Sequence, residues 1–334
     1  MKQIIAPVLA ALRRGESAVL CTVLAASGST PRGAGAHMAV FADGSAAGTV
    51  GGGAVELKAT EEAQSLLPVG GSQVREYRLH PNEVADLGMV CGGDVTILLQ
   101  TVTPEDQPFW ETVEKALTGR ENAWFFAELS SGSVVQCGLY TASSGMQFAD
   151  MHGEDLTELL AGHPVLQEQE AQTRYMEPIH RAGMVYIFGA GHVSRALVPI
   201  LKSVDFPVTV YDPRPQLASP EWFPKADRIL QADFAHISDH VQVTADDYVV
   251  IMTPGHEADR EVLTQMLRTE ATYIGLMGSR RKIASTRAYL ESQGFAPEVW
   301  ERVHAPIGIP IRGDTPAEIA ISITAEMIDH RGSL

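Results

Sequence analysis

Cysteine is scarce in this 334-residue sequence, which contains only three cysteines and no CxxC pair. Such a set gives no disulfide framework and no zinc signature, and it is typical of a reducing cytosol, so we expect a cytoplasmic protein. The apolar runs have the length of strands and fall far short of the roughly 20 residues that a helix needs to cross a bilayer. The sequence therefore predicts neither a disulfide-stabilised scaffold nor a membrane protein.

Positive charge is also scarce, and the formal net charge is −16. Residues 1–178 carry 10 Lys and Arg against 22 Asp and Glu, whereas residues 179–334 carry 15 against 19. Because this excess of negative charge repels phosphate backbones and anionic lipids, we expect no nucleic acid and no membrane as partner. An anionic ligand fits better on the second half, or wherever a local basic cluster overrides the overall charge.

The most informative stretch that is present has the order of a dinucleotide-binding βαβ unit. A short apolar run ends in a turn with Gly189 and Gly191, a helical pattern follows, and a second apolar run ends at Asp212. In such a unit the first glycine makes the tight turn, and the second lets a pyrophosphate approach the helix N-terminus. An acidic residue about twenty positions further on accepts from ribose hydroxyls, which would favour NAD over NADP. Arg214 is the nearby residue that would favour NADP instead. His192 adds an imidazole that this kind of loop does not need.

The second half alternates strands and helices, and this pattern predicts a parallel sheet with helices on both faces. The first half mixes helices, strands and hairpins. With 45% hydrophobic residues the chain can build two domains. We therefore expect an α/β protein with a C-terminal Rossmann-like parallel sheet at 179–334 and an N-terminal α+β domain at 1–178. The polar stretch at 150–178 shows no clear core period and is interpreted as a linker or edge region.

Cys91 lies in the segment GMVCGGDV, next to glycines and directly ahead of a predicted strand. This context is typical of exposed backbone rather than of a core, and neighbouring N–H groups can stabilise a thiolate. Cys21 and Cys137 lie within predicted strands, where a free cysteine is usually a packing residue. Cys91 is therefore the cysteine that we assign to function.

Three further segments carry residues that can bind an anion. Gly51, Gly52 and Gly53 open a helix, and their N–H groups form either an anion nest or simply a tight turn. Arg32, in GSTPR, is either a polar donor after a strand or a solvated arginine beside a proline turn. The third segment follows a strand end, where ligands bind in open parallel sheets, and we expect it to contact phosphate through Gly278, Ser279, Arg280, Arg281 and Lys282.

Taken in order, these stretches resemble the xanthine dehydrogenase accessory (XdhC/CoxI) family. The resemblance covers most of the chain, with residues 104–178 the least diagnostic, and is carried by GSTPRGAGAHM, DGSAAGTVGGGAVE, LGMVCGGDV, FGAGHVSRAL, YDPRP, YIGLMGSRRK and APIGIPIRGDTPAEIAISITAEMI. It implies a chaperone that binds and protects the molybdenum cofactor, as molybdopterin or its nucleotide form. It further implies sulfuration with a cysteine desulfurase and delivery to an apoenzyme of the xanthine oxidase family.

In this hypothesis Cys91 meets the molybdenum as a soft ligand and carries the chemistry. The glycine turn, Asp212 and the basic cluster hold the phosphate or nucleotide. Relatives often have a cysteine after the triple glycine, where this chain has Ala54, so the role falls to Cys91. The rival interpretation is an NAD-dependent oxidoreductase, with NAD or another nucleotide in the Rossmann crevice, and a scaffold that binds no nucleotide is a third. The assembly state is open, with a homodimer among the alternatives.

Overall fold

The computed structural model describes residues 1–30, 32–78, 93–119, 121–151, 153–169 and 172–333. They divide into two compact units, Met1–Arg181 and Ala182–Leu334. No helix in these ranges is both long and apolar enough to span a bilayer.

In its described residues, the first unit combines three α-helices with two antiparallel sheets. Its elements are α1 (Lys2–Arg13), β1 (Ala18–Gly28), β2 (His37–Phe41), β3 (Ala46–Gly48), α2 (Gly53–Leu66), β4 (Ser72–Arg78), β5 (Gly93–Val102), α3 (Gln107–Leu117), β6 (Ala123–Ser130), β7 (Ser133–Thr141), β8 (Gly145–Gln147), β9 (Val165–Glu168) and β10 (Thr173–His180). The first sheet has the strand order β3-β2-β1-β5-β4, and the second sheet has the order β8-β7-β6-β10-β9.

The central strand of the first sheet shows why both faces of that sheet are covered. Successive side chains of a strand point to opposite faces. Leu20 and Leu24 of β1 therefore join a core that also contains α1, α3 and residues of the second sheet. Val19 and Val23 face the other way and pack with α2. The apolar run of β1 thus serves two hydrophobic cores.

The stretch at 150–178, expected to be a linker or edge region, contains most of strand β10 and all of β9, and β9 is an edge strand of the second sheet. Strand β10 pairs with β6 on one side and with β9 on the other. Tyr175 and Met176 of β10 have no solvent exposure and face opposite cores. The polar composition concealed this strand, because its inward-facing Glu177 is buried with a partner from another sheet.

That partner is His37 of β2, and together the two residues form a polar pair between the sheets. His37 Nε2 lies 2.5 Å from Glu177 Oε1, and the two side chains are 2% and 3% exposed. Thr22 Oγ1 is 3.1 Å from His37 Nδ1, and the Tyr175 hydroxyl donates to Glu177 Oε2 at 2.8 Å. The two side chains thus lie against each other and against the hydroxyls of Thr22 and Tyr175, which lowers the cost of burying polar groups in a hydrophobic core.

The second unit has the alternating strands and helices that the sequence predicts. Its elements are β11 (Val185–Phe188), α4 (His192–Ser203), β12 (Val208–Tyr211), β13 (Arg228–Leu230), β14 (Tyr248–Ile251), α5 (His256–Met266), β15 (Tyr273–Leu276), α6 (Arg280–Ser292), β16 (Val303–His304) and α7 (Pro316–Ser333). Strands β13 and β16 were not expected from the sequence, because strands of three and two residues are too short to show a period.

These strands form one parallel sheet in the order β13-β12-β11-β14-β15-β16. Helices α4 and α7 contribute to the core on one face, and α5 and α6 to the core on the other. This is the doubly wound Rossmann arrangement, in which the strand order reverses between β11 and β14. The predicted fold class is confirmed for both halves of the chain.

We predict that Glu177→Ala destabilises the first unit by about 3 kcal/mol or more, because removing one member of a buried pair leaves the other uncompensated. Denaturant unfolding of the full chain, followed by tryptophan fluorescence, measures the change. Glu16→Ala is the control, since Glu16 forms only a surface ion pair with Arg14. Equal midpoints for the two variants would contradict the role of the pair.

Candidate functional site

The turn after β11 requires glycine at its first position. Gly189 has a φ of 110°, and a Cβ at this position would overlap the carbonyl oxygen of Met252, which follows β14. Its N–H donates to the Tyr211 carbonyl at 2.9 Å. Ser194, where the usual pattern has a third glycine, is buried, and its hydroxyl donates back to the Gly189 carbonyl. The turn is therefore held tightly between β12 and β14.

Gly191 is different, because apart from its chain neighbours no atom of the described residues lies within 4 Å of where its Cβ would be. It caps helix α4, which begins at His192 and has no acidic residue in its first turn. The exposed His192 ring lies edge-on to Trp222, with 6.2 Å between ring centroids. The open space beside a helix N-terminus is suited to an anionic group.

Asp212 does not present a free carboxylate to this space. It has no solvent exposure, and its Oδ2 accepts from the Ala190 N–H at 2.7 Å and from Arg214 Nη2 at 2.6 Å. Its Oδ1 accepts from the Arg214 N–H at 2.9 Å and from Arg214 Nε at 2.8 Å. The predicted ribose acceptor is therefore engaged by its own chain.

These hydrogen bonds also fix the charge of the pair. Burial alone raises the pKa of the Asp212 carboxyl, but the hydrogen bonds from Arg214 and Ala190 outweigh it, and the pKa lies below its ordinary value. Donating to the Asp212 carboxylate raises the pKa of the Arg214 guanidinium in turn. Both groups are charged at neutral pH, and Arg214 stays partly exposed while Asp212 does not.

The predicted basic cluster follows β15, at the same edge of the parallel sheet as the glycine turn. Ser279 caps helix α6, its hydroxyl accepting from the Lys282 N–H at 3.3 Å. Lys282 is engaged in an ion pair with Asp259 of α5, whose carboxylate has no solvent exposure. Arg280 and Arg281 are exposed, and within the described part of the chain neither forms an ion pair. The cluster thus divides into one anchored lysine and two available arginines.

Two basic residues in the first turn of a helix oppose its macrodipole, which favours acidic groups there. Helix α6 has no acidic residue in that turn. Gly278 precedes the cap, and a Cβ on it would contact the aliphatic part of Lys282 at 2.9 Å. A bound anion would relieve this unfavourable placement, so phosphate contact remains our prediction for Arg280 and Arg281.

In the first unit, the glycine-rich segments meet at one end of the first sheet, which we call the glycine end. The registers pair Gly28 with Gly93, Thr22 with His37, and Met38 with Gly48. Strands β1, β3 and β4 therefore end there, and β2 and β5 begin there. The topology thus brings together segments that are far apart in sequence, among them the loop with the exposed Arg32.

The triple glycine at this end already binds one carboxylate. Gly51, Gly52 and Gly53 all have positive φ, and the Gly52 N–H donates to Glu56 Oε2 at 3.0 Å. The Thr49 hydroxyl donates to the same oxygen. Glu56 therefore occupies part of the predicted anion nest, and only the remaining donors are available to a ligand.

Cys91 lies outside the described residues, so its predicted role as catalytic group and metal ligand stays a prediction. The described chain resumes at Gly93, so closely packed that a Cβ there would overlap the Ser27 carbonyl oxygen. Burial raises the pKa of the Cys21 thiol to about 12 and that of Cys137 to about 11. Both are protonated at neutral pH, as packing residues are. Among the described residues, no group of three His, Cys, Asp or Glu can hold a metal ion.

Sequence reasoning missed the acidic residues that hold these segments in place. Glu56 stands three positions after Gly53, within the first helical turn, where an acidic side chain commonly reaches back to free N–H groups. That spacing could have revealed it. Asp259 lies in the first turn of α5, and its partner Lys282 is brought to it only by the packing of α5 and α6.

The fold and sites define a two-unit protein with a Rossmann crevice and a glycine-rich N-terminal unit. The description "XdhC Rossmann domain" matches residues 185–327, and "XdhC and CoxI family" matches residues 11–78. The chain belongs to the XdhC and CoxI family. This confirms the resemblance found in the sequence.

Individual relatives agree with this assignment. A crystal structure described as a xanthine dehydrogenase from Bacillus halodurans superposes with a TM-score of 0.80 at 26% identity, covering 98% of this chain and 96% of that one. A probable xanthine dehydrogenase subunit from Bacillus subtilis (strain 168) is 25% identical over 96% of both chains. The molybdenum cofactor insertion chaperone PaoD of Escherichia coli (strain K12) is 24% identical, over 96% of this chain and 86% of PaoD.

A further relative is longer than this chain. The uncharacterized protein YqeB of Escherichia coli (strain K12) is 27% identical over 94% of this chain. The chain spans 43% of the length of YqeB.

We predict opposite consequences for alanine at the two glycines of the turn. Gly189→Ala should lower the melting temperature markedly, because the new Cβ meets backbone and the φ disfavours alanine. Gly191→Ala should leave the fold intact and weaken binding of a phosphate-bearing ligand, since its Cβ enters the open space. Thermal unfolding and ligand titration test the pair. A Gly189→Ala protein as stable as wild type would contradict the close approach.

Proposed function

We propose that the protein is a maturation chaperone that binds the molybdenum cofactor, supports its sulfuration and delivers it to an enzyme of the xanthine oxidase family. The observation that carries this proposal is the similarity to a molybdenum cofactor insertion chaperone, which extends over 96% of the chain and through both units. The relatives described as xanthine dehydrogenase proteins support the same class of client. In this proposal the cofactor is cargo that is handed on.

The donor groups of the chain fit such a cargo, which carries a phosphate or a nucleotide diphosphate. In the second unit the N-terminus of α4, Arg214, Arg280 and Arg281 offer positive charge at the sheet edge where Rossmann proteins bind ligands. In the first unit the glycine end offers Arg32 and backbone N–H groups. An acidic chain that keeps these cations accessible at ligand-binding edges is suited to an anionic cargo.

Cys91 completes the proposal as the soft thiolate that molybdenum or a transferred persulfide sulfur would favour. The described cysteines do not compete for this role, because burial keeps both thiols protonated. A cysteine desulfurase is the proposed source of sulfur. We place the protein in the cytoplasm, where such thiol chemistry is maintained by the reducing environment, and a homodimer is the assembly that we would test first.

The second candidate is an NAD-dependent oxidoreductase, which the glycine turn of the Rossmann unit favours. One observation weakens it: Asp212, which would accept from the ribose of NAD, makes four hydrogen bonds within the chain.

We predict that Cys91→Ala lowers the activation of a client apoenzyme by at least about tenfold, because a soft ligand is lost, while the fold remains intact. The assay combines cofactor-loaded protein, a cysteine desulfurase with cysteine, and a xanthine-oxidase-type apoenzyme, and it follows client turnover. Cys137→Ala is the matched control, since Cys137 is a packing residue. Activation by Cys91→Ala equal to that by wild type would remove Cys91 from the mechanism. Failure of the wild-type protein to activate any such client would remove the proposed function.

A further inference from the structure

We infer that Arg214 selects a phosphate monoester in the Rossmann crevice, and that the crevice rejects the unphosphorylated ribose diol of NAD. The inference concerns ligand choice at the end of β12. It rests on the proposed function only in that the crevice holds a phosphate-bearing ligand. It assigns to Asp212 the role of anchoring Arg214, in place of the ribose contact that its sequence position indicates.

The acceptor capacity of Asp212 is the first argument. An ionised carboxylate offers about four lone-pair sites, and Asp212 receives four hydrogen bonds, two on each oxygen. A ribose diol would have to displace Arg214 or the Ala190 N–H from a group without solvent exposure. The displaced donors would lose charge-assisted hydrogen bonds, which are about twice as strong as neutral ones. Binding a diol there is therefore disfavoured.

The free donors of Arg214 are the second argument. A guanidinium has five N–H groups, and Asp212 takes two of them, one on Nε and one on Nη2. The remaining three have no acceptor within the described residues, and the side chain is 34% exposed. The bidentate contact fixes the plane of the guanidinium, so these donors are pre-organised for a second planar or tetrahedral oxyanion.

The position of Arg214 is the third argument. Its Nη2 and the Ala190 N–H donate to the same oxygen of Asp212, so the guanidinium lies directly beside the glycine turn. The adjoining helix α4 has no acidic residue in its first turn, and the exposed His192 begins it. A phosphate monoester, which is largely a dianion at neutral pH, would find donors from both elements.

Two kinds of ligand carry such a phosphate monoester. One is the 2′-phosphate of a dinucleotide such as NADP⁺, and the other is the terminal phosphate of a pterin such as molybdopterin. Two pairs of probes separate them: NADP⁺ against NAD⁺, and a pterin carrying a phosphate monoester against the same pterin without it. Each is titrated into the full-length protein by isothermal calorimetry.

The variants distinguish a specific contact from loss of structure. Arg214→Met alone leaves Asp212 unpaired in a buried position, so the double variant Asp212→Asn with Arg214→Met removes both charges together. Lys202→Met is the matched control, because Lys202 pairs with Asp227 at the C-terminal end of α4, away from the glycine turn. Thermal unfolding confirms that each variant is folded.

In at least one of the two probe pairs we expect the phosphorylated probe to bind roughly tenfold more tightly than its unphosphorylated partner, as a charge-assisted contact implies. The double variant should lose this preference, and Lys202→Met should keep it. NAD⁺ binding as tightly as NADP⁺, together with no phosphate preference for the pterin pair, would overturn the inference. A preference that survives in the double variant would overturn it as well. Neither result alters whether the protein carries molybdenum, which is measured separately.

Discussion

The buried carboxylate of Asp212 is the constraint on which the Rossmann crevice depends. It joins the glycine turn after β11 to the end of β12, since Ala190 and Arg214 donate to the same oxygen. Arg214 neutralises it and is fixed in orientation by it. The glycine turn can then lie against β14, where Gly189 leaves no room for a side chain. The shape and the charge of the crevice thus follow from one ion pair, and so does the preference for phosphate over ribose that we infer.

Acidic residues that hold a neighbouring group in place also occur elsewhere in the chain. Glu56 holds the triple glycine, Asp259 anchors Lys282, and Glu177 pairs with His37 between two sheets. Glu56 and Asp259 hold segments that carry proposed ligand-binding residues, and Glu177 links the two sheets of the first unit. Part of the large negative charge of the sequence is therefore used to hold loops and cations in place. The exposed arginines remain available, which suits the anionic cargo that we propose.

Local signals in the sequence predicted much of the fold, including the glycine turn and the alternating strands and helices of the second unit. Thr315 and Glu318 exchange the hydrogen bonds of a capping box, as their spacing indicates. Strand β10 was missed because the charge of Glu177 hides its period. The spacing of Asp212 from the glycines does not show that it binds Arg214 instead of a ribose. That depends on the direction of the Arg214 side chain. Lys282 and Asp259 are 23 positions apart and meet only through helix packing. Tertiary contacts therefore determine the residue pairings that local sequence patterns do not predict.

The most direct test of the account measures cargo in the protein itself. The chain is purified from a host that synthesises molybdenum cofactor, and its molybdenum content is compared with the fluorescence of the oxidised pterin released on denaturation. A cofactor chaperone should contain molybdenum and pterin in equal amounts, approaching one of each per chain. A protein that contains neither, and that takes up neither on incubation with isolated cofactor, would contradict the account.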